Sequence, residues 1–448
     1  ICFGVSDHGD GSMLTSVHQV PAGHFMEIPL APDVGGTVTP RNAQRYWTLP
    51  EPSPEKVTMN EAAARVREAF LESVRLHLRS DVPVGSALSG GIDSSAIVAA
   101  IRHVAGDAVE LHAFSYVADD PRVSEERWID MAAQAAGAMV HKVRLEPGAL
   151  TDELDELIRS QGEPFAGTSI FAQRKVFELA RSQGVKVLLD GQGADELLGG
   201  YPAMILARVA SLLRQGRFFS ARRLARTAAG MPGHEGVRLR GAISLIAPDL
   251  LRRAGRKLLR RPTVPPWLSP QWFHKHDVHT LPPRLERASG ARVLHAQLRR
   301  FITRESLPQL LRYEDRNSMT WSLESRVPFL TTHMAETSLS LPEEHIIDQQ
   351  ATTKAVFRQA MRGLVPDAIL DRRDKIGFAT PQASWLRQAS PWIDQVLTSD
   401  RAEAIAPLRT DELRRLWAAG PAMGKDFPVY LWRCLNLVRW SELFDVAF

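Results

Sequence analysis

Cysteine is almost absent from this chain of 448 residues: Cys2 and Cys434 are the only two. Two thiols cannot build a disulfide framework or a thiolate metal site. The fourteen histidines are scattered, with no pair at the spacing of a zinc-binding helix. Apolar runs fall far short of the ~20 residues that cross a bilayer, and neither end reads as a secretion signal. Net charge is small, +4 from 55 basic and 51 acidic residues, and no aromatic-interleaved basic motif points to nucleic acid. What remains is 44% hydrophobic and 24% charged, an ordinary soluble balance with room for two to three domains of roughly 150 residues. The expectation is a cytoplasmic, multi-domain protein with neither nucleic acid nor membrane as partner.

Residues 1–50 are rich in Gly, Pro, Val and His and read as strands and turns, closed by the proline-rich joint Leu49-Pro50-Glu51-Pro52-Ser53-Pro54. The period then changes. Ala62, Val66, Ala69, Phe70, Val74 and Leu78 follow helical spacing, with Asn60 the expected N-cap. Strands at 82–88, 109–116, 139–145 and 185–190 then alternate with helices from 94, 125, 152 and 171. This alternation predicts an α/β fold, a parallel sheet flanked by helices with ligands at the strand C-terminal ends. Residues 204–300 are Arg- and Leu-rich, with pairs at Arg222-Arg223, Arg252-Arg253 and Arg260-Arg261. They read as a solvated helical insertion with snorkelling arginines; the functional alternative is a basic surface that docks an acidic partner or a membrane. From Leu307 to Leu386 the pattern is helical again. In the tail, Trp392, Trp417, Trp432 and Trp440 are expected in the core rather than on a ligand platform.

Two glycine loops stand at strand ends. Leu88-Ser89-Gly90-Gly91-Ile92-Asp93-Ser94-Ser95 leaves a strand and opens a helix. Its small residues let backbone N–H groups approach an anion, the helix start adds positive potential, and the serines add hydroxyl donors. Asp93 is odd for a bare phosphate cradle but suits Mg²⁺ bridging phosphate oxygens. The loop is not a Walker motif, since no Lys-Ser/Thr ends it, nor a dinucleotide fingerprint, since its glycines are adjacent. The second loop, Asp190-Gly191-Gln192-Gly193-Ala194-Asp195-Glu196, has glycines that let backbone pass a nucleotide closely and acids that offer hard oxygens. A serine-capped turn and acids capping a helix are the simpler readings of each loop alone.

The first loop resembles the pyrophosphate loop of N-type ATP pyrophosphatases, and from about Asn60 to Leu386 the chain looks like the synthetase domain of the asparagine synthetase family. The second loop is similar to that family's Gly-x-Gly-Ala-Asp-Glu segment. Asp315-Arg316-Asn317-Ser318-Met319 and Glu324-Ser325-Arg326-Val327-Pro328-Phe329-Leu330 resemble further motifs, as do Thr353-Lys354 with Arg358 and Lys375-Ile376-Gly377-Phe378. The resemblance implies an adenine nucleotide α-hydrolase-like PP-loop fold that uses ATP and Mg²⁺ to adenylate a carboxylate, aspartate first, and passes ammonia from glutamine to it. It implies that Ser89, Gly90, Gly91, Ser94, Ser95, Asp190, Gly191 and Lys354 hold ATP and pyrophosphate, with Leu88 and Tyr116 at the adenosine. Asp93 and Asp195 would hold Mg²⁺, Lys375 would neutralise the acyl centre, and Glu314 or Asp315 would lie near the attacking amine. Glu324 and Arg326 are read mainly as structural ion-pairing residues.

Three departures bear on the substrate. Relatives that make asparagine commonly carry an acid where this chain has Gln192, and an amide cannot act as a base; it could position an acyl-adenylate or report another acceptor. Thr331 replaces a usual Asp, which alters at most a helix cap. Val20-Pro21-Ala22-Gly23-His24 and Arg45-Tyr46-Trp47 look like the closing strands of a class II glutaminase domain. Residues 1–50 are too short for a whole one, so the resemblance implies a β-rich remnant before a synthetase domain at 51–448, whose helical C-terminal part runs from 301. Cys2 is therefore read as a buried apolar residue and not as the glutaminase nucleophile. Rival readings are a ligase for another carboxylate such as a uronic acid, an amide cyclase closing a β-lactam or peptide macrocycle, and a nucleotide-binding scaffold. A homodimer is possible on the same footing.

Overall fold

The computed structural model describes residues 4, 6–7, 9, 11–28, 42–51, 56–107, 109–121, 123–146, 148–232, 234, 236–247, 264–278, 291–373, 378–420 and 427–448. Cys2 and Lys375 lie outside these residues.

The four expected strands form, as β3 (Val84–Ala87), β4 (His112–Tyr116), β5 (Met139–Val143) and β6 (Val187–Leu189). They follow β1 (His24–Phe25) and β2 (Gln44–Arg45), a short antiparallel pair near the N-terminus. A fifth member, β7 (Glu324–Arg326), joins the sheet, whose order is β5-β4-β3-β6-β7 with every pairing parallel. This corrects the helical reading of that run. The helix Leu307–Thr320 ends at Trp321, and Ser322 turns into the left-handed region at φ +53°. Leu323 is then fully buried, and Glu324 N–H donates to the Lys186 carbonyl at 2.9 Å. Three residues are too few to display a period-2 pattern.

The first long helix, α1 (Met59–His77), begins one residue before the expected cap. Thr58 is the N-cap, accepting from Glu61 N–H while the Glu61 carboxylate accepts from Thr58 N–H, a reciprocal capping box. Asn60 therefore sits inside the first turn. Thr58→Ala is expected to lower stability by about 1 kcal/mol, read as a shift of the urea midpoint at unchanged slope. At the other end of α1, Arg326 donates to the carbonyls of His77 and Arg79, so the edge strand ties down the helix C-terminus. Thr331 N-caps the helix Thr332–Ser340 by accepting from Met334 N–H.

Apolar clusters lie on both faces of the sheet. One joins α1 to α2 (Ile92–Ala105) and α3 (Glu126–Ala136), with Phe70, Phe329 and Phe357 packed ring on ring. The other joins α4 (Ala149–Gln161) and α5 (Ser169–Ser182) to the C-terminal helices. Trp432, Trp440 and Cys434 are buried there, with Trp392 and Trp417 packed at the margin. One stretch, Ala194–Arg214, is long and apolar enough by composition to cross a membrane, contrary to the count of apolar runs, but 72% of its most apolar 18-residue window is buried within the fold. It comprises two helices, α6 (Ala194–Leu198) and α7 (Pro202–Arg214), interrupted at Gly199 and Gly200. The insertion continues with α8 (Phe218–Ala229) and α9 (Leu239–Ile246).

Connectivity places the site. From β3 the chain winds outward through β4 to β5, then returns to place β6 on the other side of β3. The strand order reverses between β3 and β6, and a crevice at the carboxyl ends of such strands is where open α/β sheets take ligands. The two glycine loops leave those two strands.

Candidate active site

The loop after β3 is held from behind. Leu88 N–H donates to the Phe114 carbonyl at 2.9 Å, and Ser115 Oγ donates to the Leu88 carbonyl at 2.6 Å. Gly90 has φ +76°, and a Cβ there would stand 2.9 Å from Trp128 Cβ and Ile129 N, so only glycine lets the loop press against α3. Ser89 N–H and Oγ both meet Ser94 Oγ at 3.1 Å. Gly91 is the N-cap of α2 and caps it with no side chain. The first N–H groups of α2 thus keep their capacity to bind an anion.

The loop after β6 comes alongside. A Cβ on Gly191 would lie 3.2 Å from Asp93 Cβ, so the missing side chain permits the two loops to touch. Gly193, at φ +88°, leaves room for Leu330. Glu196, although an acid of the same motif, accepts from Tyr201 Oη at 2.6 Å and Ser306 Oγ at 2.7 Å in a buried position. Its role is to fasten the loop.

Lys354 joins the loops. Its backbone is left-handed at φ +54°, and its side chain is 2% exposed. The ammonium contacts both Asp93 oxygens at 2.6 Å and Asp195 Oδ1 at 2.5 Å. Burial on its own disfavours this charge, but Asp195 and Asp93 outweigh it and hold the group above the ordinary lysine range. Gly200 makes the arrangement possible, because a Cβ there would overlap Asp195 Oδ1 and Lys354 Cε. Two carboxylates converging on one point also suit Mg²⁺, which binds through one or two carboxylates plus phosphate oxygens. Among the described residues no group of three or more His, Cys, Asp or Glu is arranged to hold a metal, so such an ion would need a ligand's oxygens as well.

These residues wall a cavity of about 460 Å³. Leu88, Ser89, Gly91, Asp93, Ser94, Tyr116, Asp190, Gly191, Gln192, Asp195 and Lys354 all line it. Its apolar side includes Phe114, Phe177 and Leu188, and Tyr116 meets Phe378 edge to face at 5.8 Å. Burial pushes the Tyr116 hydroxyl up to about 12, with the Asp119 charge adding to it. Gly90 and Ser95 are not on the wall. Gly90 faces α3, and Ser95 lies on the buried side of α2 with its hydroxyl unpartnered among the described residues.

Two candidate carboxyls separate. Glu314 is 2% exposed whereas Asp315 is exposed, because neighbours on a helix point about 100° apart. Glu314 accepts from Ser325 Oγ, and its other oxygen has no partner among the described residues. Burial raises Glu314 well above the carboxylate range, and the Asp190 charge raises it further. Burial also pushes the Asp190 carboxyl up to about 6, against the pull of the Gly191 and Gln192 N–H groups and with the help of Asp93.

Sequence reasoning did not single out Arg372. Its guanidinium pairs with Glu125 at 2.8 Å, donates to the Gly90 carbonyl at 3.1 Å and lies 4.5 Å from the Trp128 ring centre. The segment leading to Lys375 is thereby stitched to the first loop, and Arg373 and Phe378 on either side of the undescribed residues line the cavity. Glu125 and Arg372 are 247 positions apart, so no local pattern marks the pair.

Comparison with known proteins places this arrangement. The family described as asparagine synthase matches residues 65–442. The chain belongs to the asparagine synthase family. It is 28% identical to asparagine synthetase [glutamine-hydrolyzing] 1 of Bacillus subtilis over 87% of this chain and 61% of that protein. It is 31% identical to a putative asparagine synthetase [glutamine-hydrolyzing] of Mycobacterium tuberculosis over 89% of this chain and 61% of that protein. Amidase chyE of Penicillium rubens is 23% identical over 95% of this chain and 68% of its own length. The chain thus spans about three fifths of the two synthetases. The family accounts for the parallel sheet and its glycine-loop crevice, which are of the PP-loop type.

Proposed function

We propose that this chain is a carbon–nitrogen ligase that activates a carboxylate with ATP and converts it to an amide. The observation that carries the reading is Lys354, a buried ammonium held by Asp93 and Asp195 next to the uncapped start of α2 at the strand-order reversal. Preset positive charge and N–H dipoles in that place favour a reaction that releases pyrophosphate. A carboxylate oxygen forms a bond to the α-phosphorus as the bond to pyrophosphate breaks. Ammonia then attacks the acyl carbon, AMP leaves and a proton is lost. Ser89, Ser94 and Lys354 bind the leaving pyrophosphate, Leu88 and Tyr116 flank the adenosine, and Lys375 neutralises the acyl centre. Asp93 and Asp195 would hold Mg²⁺, which supplies further neutralisation of the phosphates. Residues 1–50 are read as the end of a glutaminase-type unit, with glutamine as the ammonia source for the synthetase domain at 51–448.

Aspartate is the first substrate to test. Gln192 on the cavity wall favours the second reading, another carboxylate such as a uronic acid, since a neutral amide there cannot hold a cationic amine by charge. Pyrophosphate release from ATP and Mg²⁺ across a panel of carboxylates, with and without ammonium, tests both. Release with aspartate and ammonium, with asparagine formed, supports the first; release with another acid supports the second. Release with no acid in the panel, or none at all, refutes the ligase reading. Lys375→Ala is expected to abolish amide formation in a folded protein, and near-normal turnover would remove it from the reaction.

Arg372→Ala leaves Glu125 buried without this cation and frees the Gly90 carbonyl. The apparent KM for ATP is expected to rise about tenfold, the effect of roughly one charge-assisted hydrogen bond. Arg372→Lys restores charge but not the forked contact, so only partial recovery is expected. An unchanged KM in both variants would show that the tether does not position the loop.

A further inference from the structure

We propose that helix α8 is a docking surface for an anionic phospholipid bilayer. Phe219 is 93% exposed and Phe218 is 63% exposed, at the start of the helix and side by side. Arg222, Arg223 and Arg226 continue the same exposed face, while Ala221, Leu224, Ala225 and Ala228 bury the other against the fold. Arg214 and Arg217, also exposed, flank the aromatic pair. Among the described residues none of these arginines has an acidic partner. Charge is segregated on the scale of the chain as well: residues 208–261 hold fourteen Lys and Arg against two Asp and Glu, although the whole chain has 55 against 51. The remainder is therefore net acidic, so this basic region is a local feature that overall charge conceals.

A basic face explains attraction to any polyanion; the phenylalanines choose among them. Two adjacent rings standing clear of the helix are costly in water and fit no groove of their own. A bilayer interface accepts both features at once, with aromatic rings in the acyl boundary and arginines at the phosphates. The helix leads through Gly230 directly to Met231, Pro232 and His234, which line the candidate cavity. Twelve helical residues span about 18 Å, so docking would bring the cavity within a short helix length of the lipid surface. This departs from the expectation of no membrane partner and does not depend on which carboxylate the site takes.

Co-sedimentation of the full chain with vesicles tests it. Binding is expected with phosphatidylcholine vesicles containing phosphatidylglycerol and absent with phosphatidylcholine alone, and it weakens with added salt. Phe218→Ser with Phe219→Ser is expected to reduce partitioning at least tenfold. Arg222→Glu and Arg223→Glu are each expected to reduce it about fivefold or more. Thermal midpoints and pyrophosphate release without vesicles stay near those of the unaltered chain, because none of the four side chains lines the cavity. No binding to the anionic vesicles at low salt would overturn the proposal. So would binding that survives loss of both phenylalanines and is matched by soluble polyglutamate, a result that would mark a surface for an acidic protein.

Discussion

Replacing Lys354 with alanine is expected to destabilise the fold by about 3–5 kcal/mol, the usual cost of removing one partner from a buried ion pair, and to reduce pyrophosphate release at least about a hundredfold. The two effects have one origin. Asp93 and Asp195 approach the same ammonium from two loops, and without it two carboxylates face each other in a partly desolvated crevice. Lys354→Ala combined with Asp195→Asn separates stability from chemistry. The double variant removes half of the excess negative charge, so its urea midpoint is expected to recover toward the original while turnover stays low. Mg²⁺ alone is expected to raise the melting temperature of the single variant more than that of the unaltered chain, since a divalent ion can stand where the ammonium stood. A Lys354→Ala protein as stable as its parent would mean that the carboxylates are not balanced by this lysine.

What the sequence revealed of this site follows from how locally each constraint acts. Gly90 and Gly193 take left-handed turns beside Gly91 and Gly191, so the glycine spacing next to apolar strands disclosed both loops, although the contacts that exclude a Cβ at Gly90, Gly191 and Gly193 come from α3, Asp93 and Leu330. The order of strands and helices was legible for the same reason. Lys354 was visible only through its family motif; the contact it makes with Asp93 spans 261 positions and leaves no periodic trace. Arg372 and Glu125 are a second such pair. Strand β7 was hidden because Glu324, Ser325 and Arg326 are drawn into the sheet by backbone bonds to its neighbour and not by a pattern of their own. Asp315 illustrates a further limit: a motif names adjacent acids, and only the phase of the helix decides that Glu314 turns inward.

That phase leads to the second large effect. Glu314 is not on the cavity wall, yet Asp190 is, and the charge of Asp190 helps keep Glu314 protonated. Glu314 thus stands where it would act as a positioning residue for the loop that carries Asp190, Gly191 and Gln192. Both carboxyls bind protons more tightly in the folded than in the unfolded chain, where ordinary values are about 4. The native state then holds more protons from about pH 4 upward, through about 6 for Asp190 and beyond for Glu314. Stability must fall as pH rises across that window. Glu314→Gln mimics the protonated acid at all pH values. Its stability is expected to match the parent near pH 4 and to exceed it by a growing margin toward pH 8, about 1.4 kcal/mol for each tenfold rise in proton affinity removed. Turnover is expected to drop by about a hundredfold, the cost of a small displacement of the loop that carries Asp190, Gly191 and Gln192. The pH–rate profile discriminates: the parent shows two ionisations above the ordinary carboxylate range, and Glu314→Gln keeps only the one near 6. A variant whose stability runs parallel to the parent at every pH would show that Glu314 carries no raised affinity for its proton.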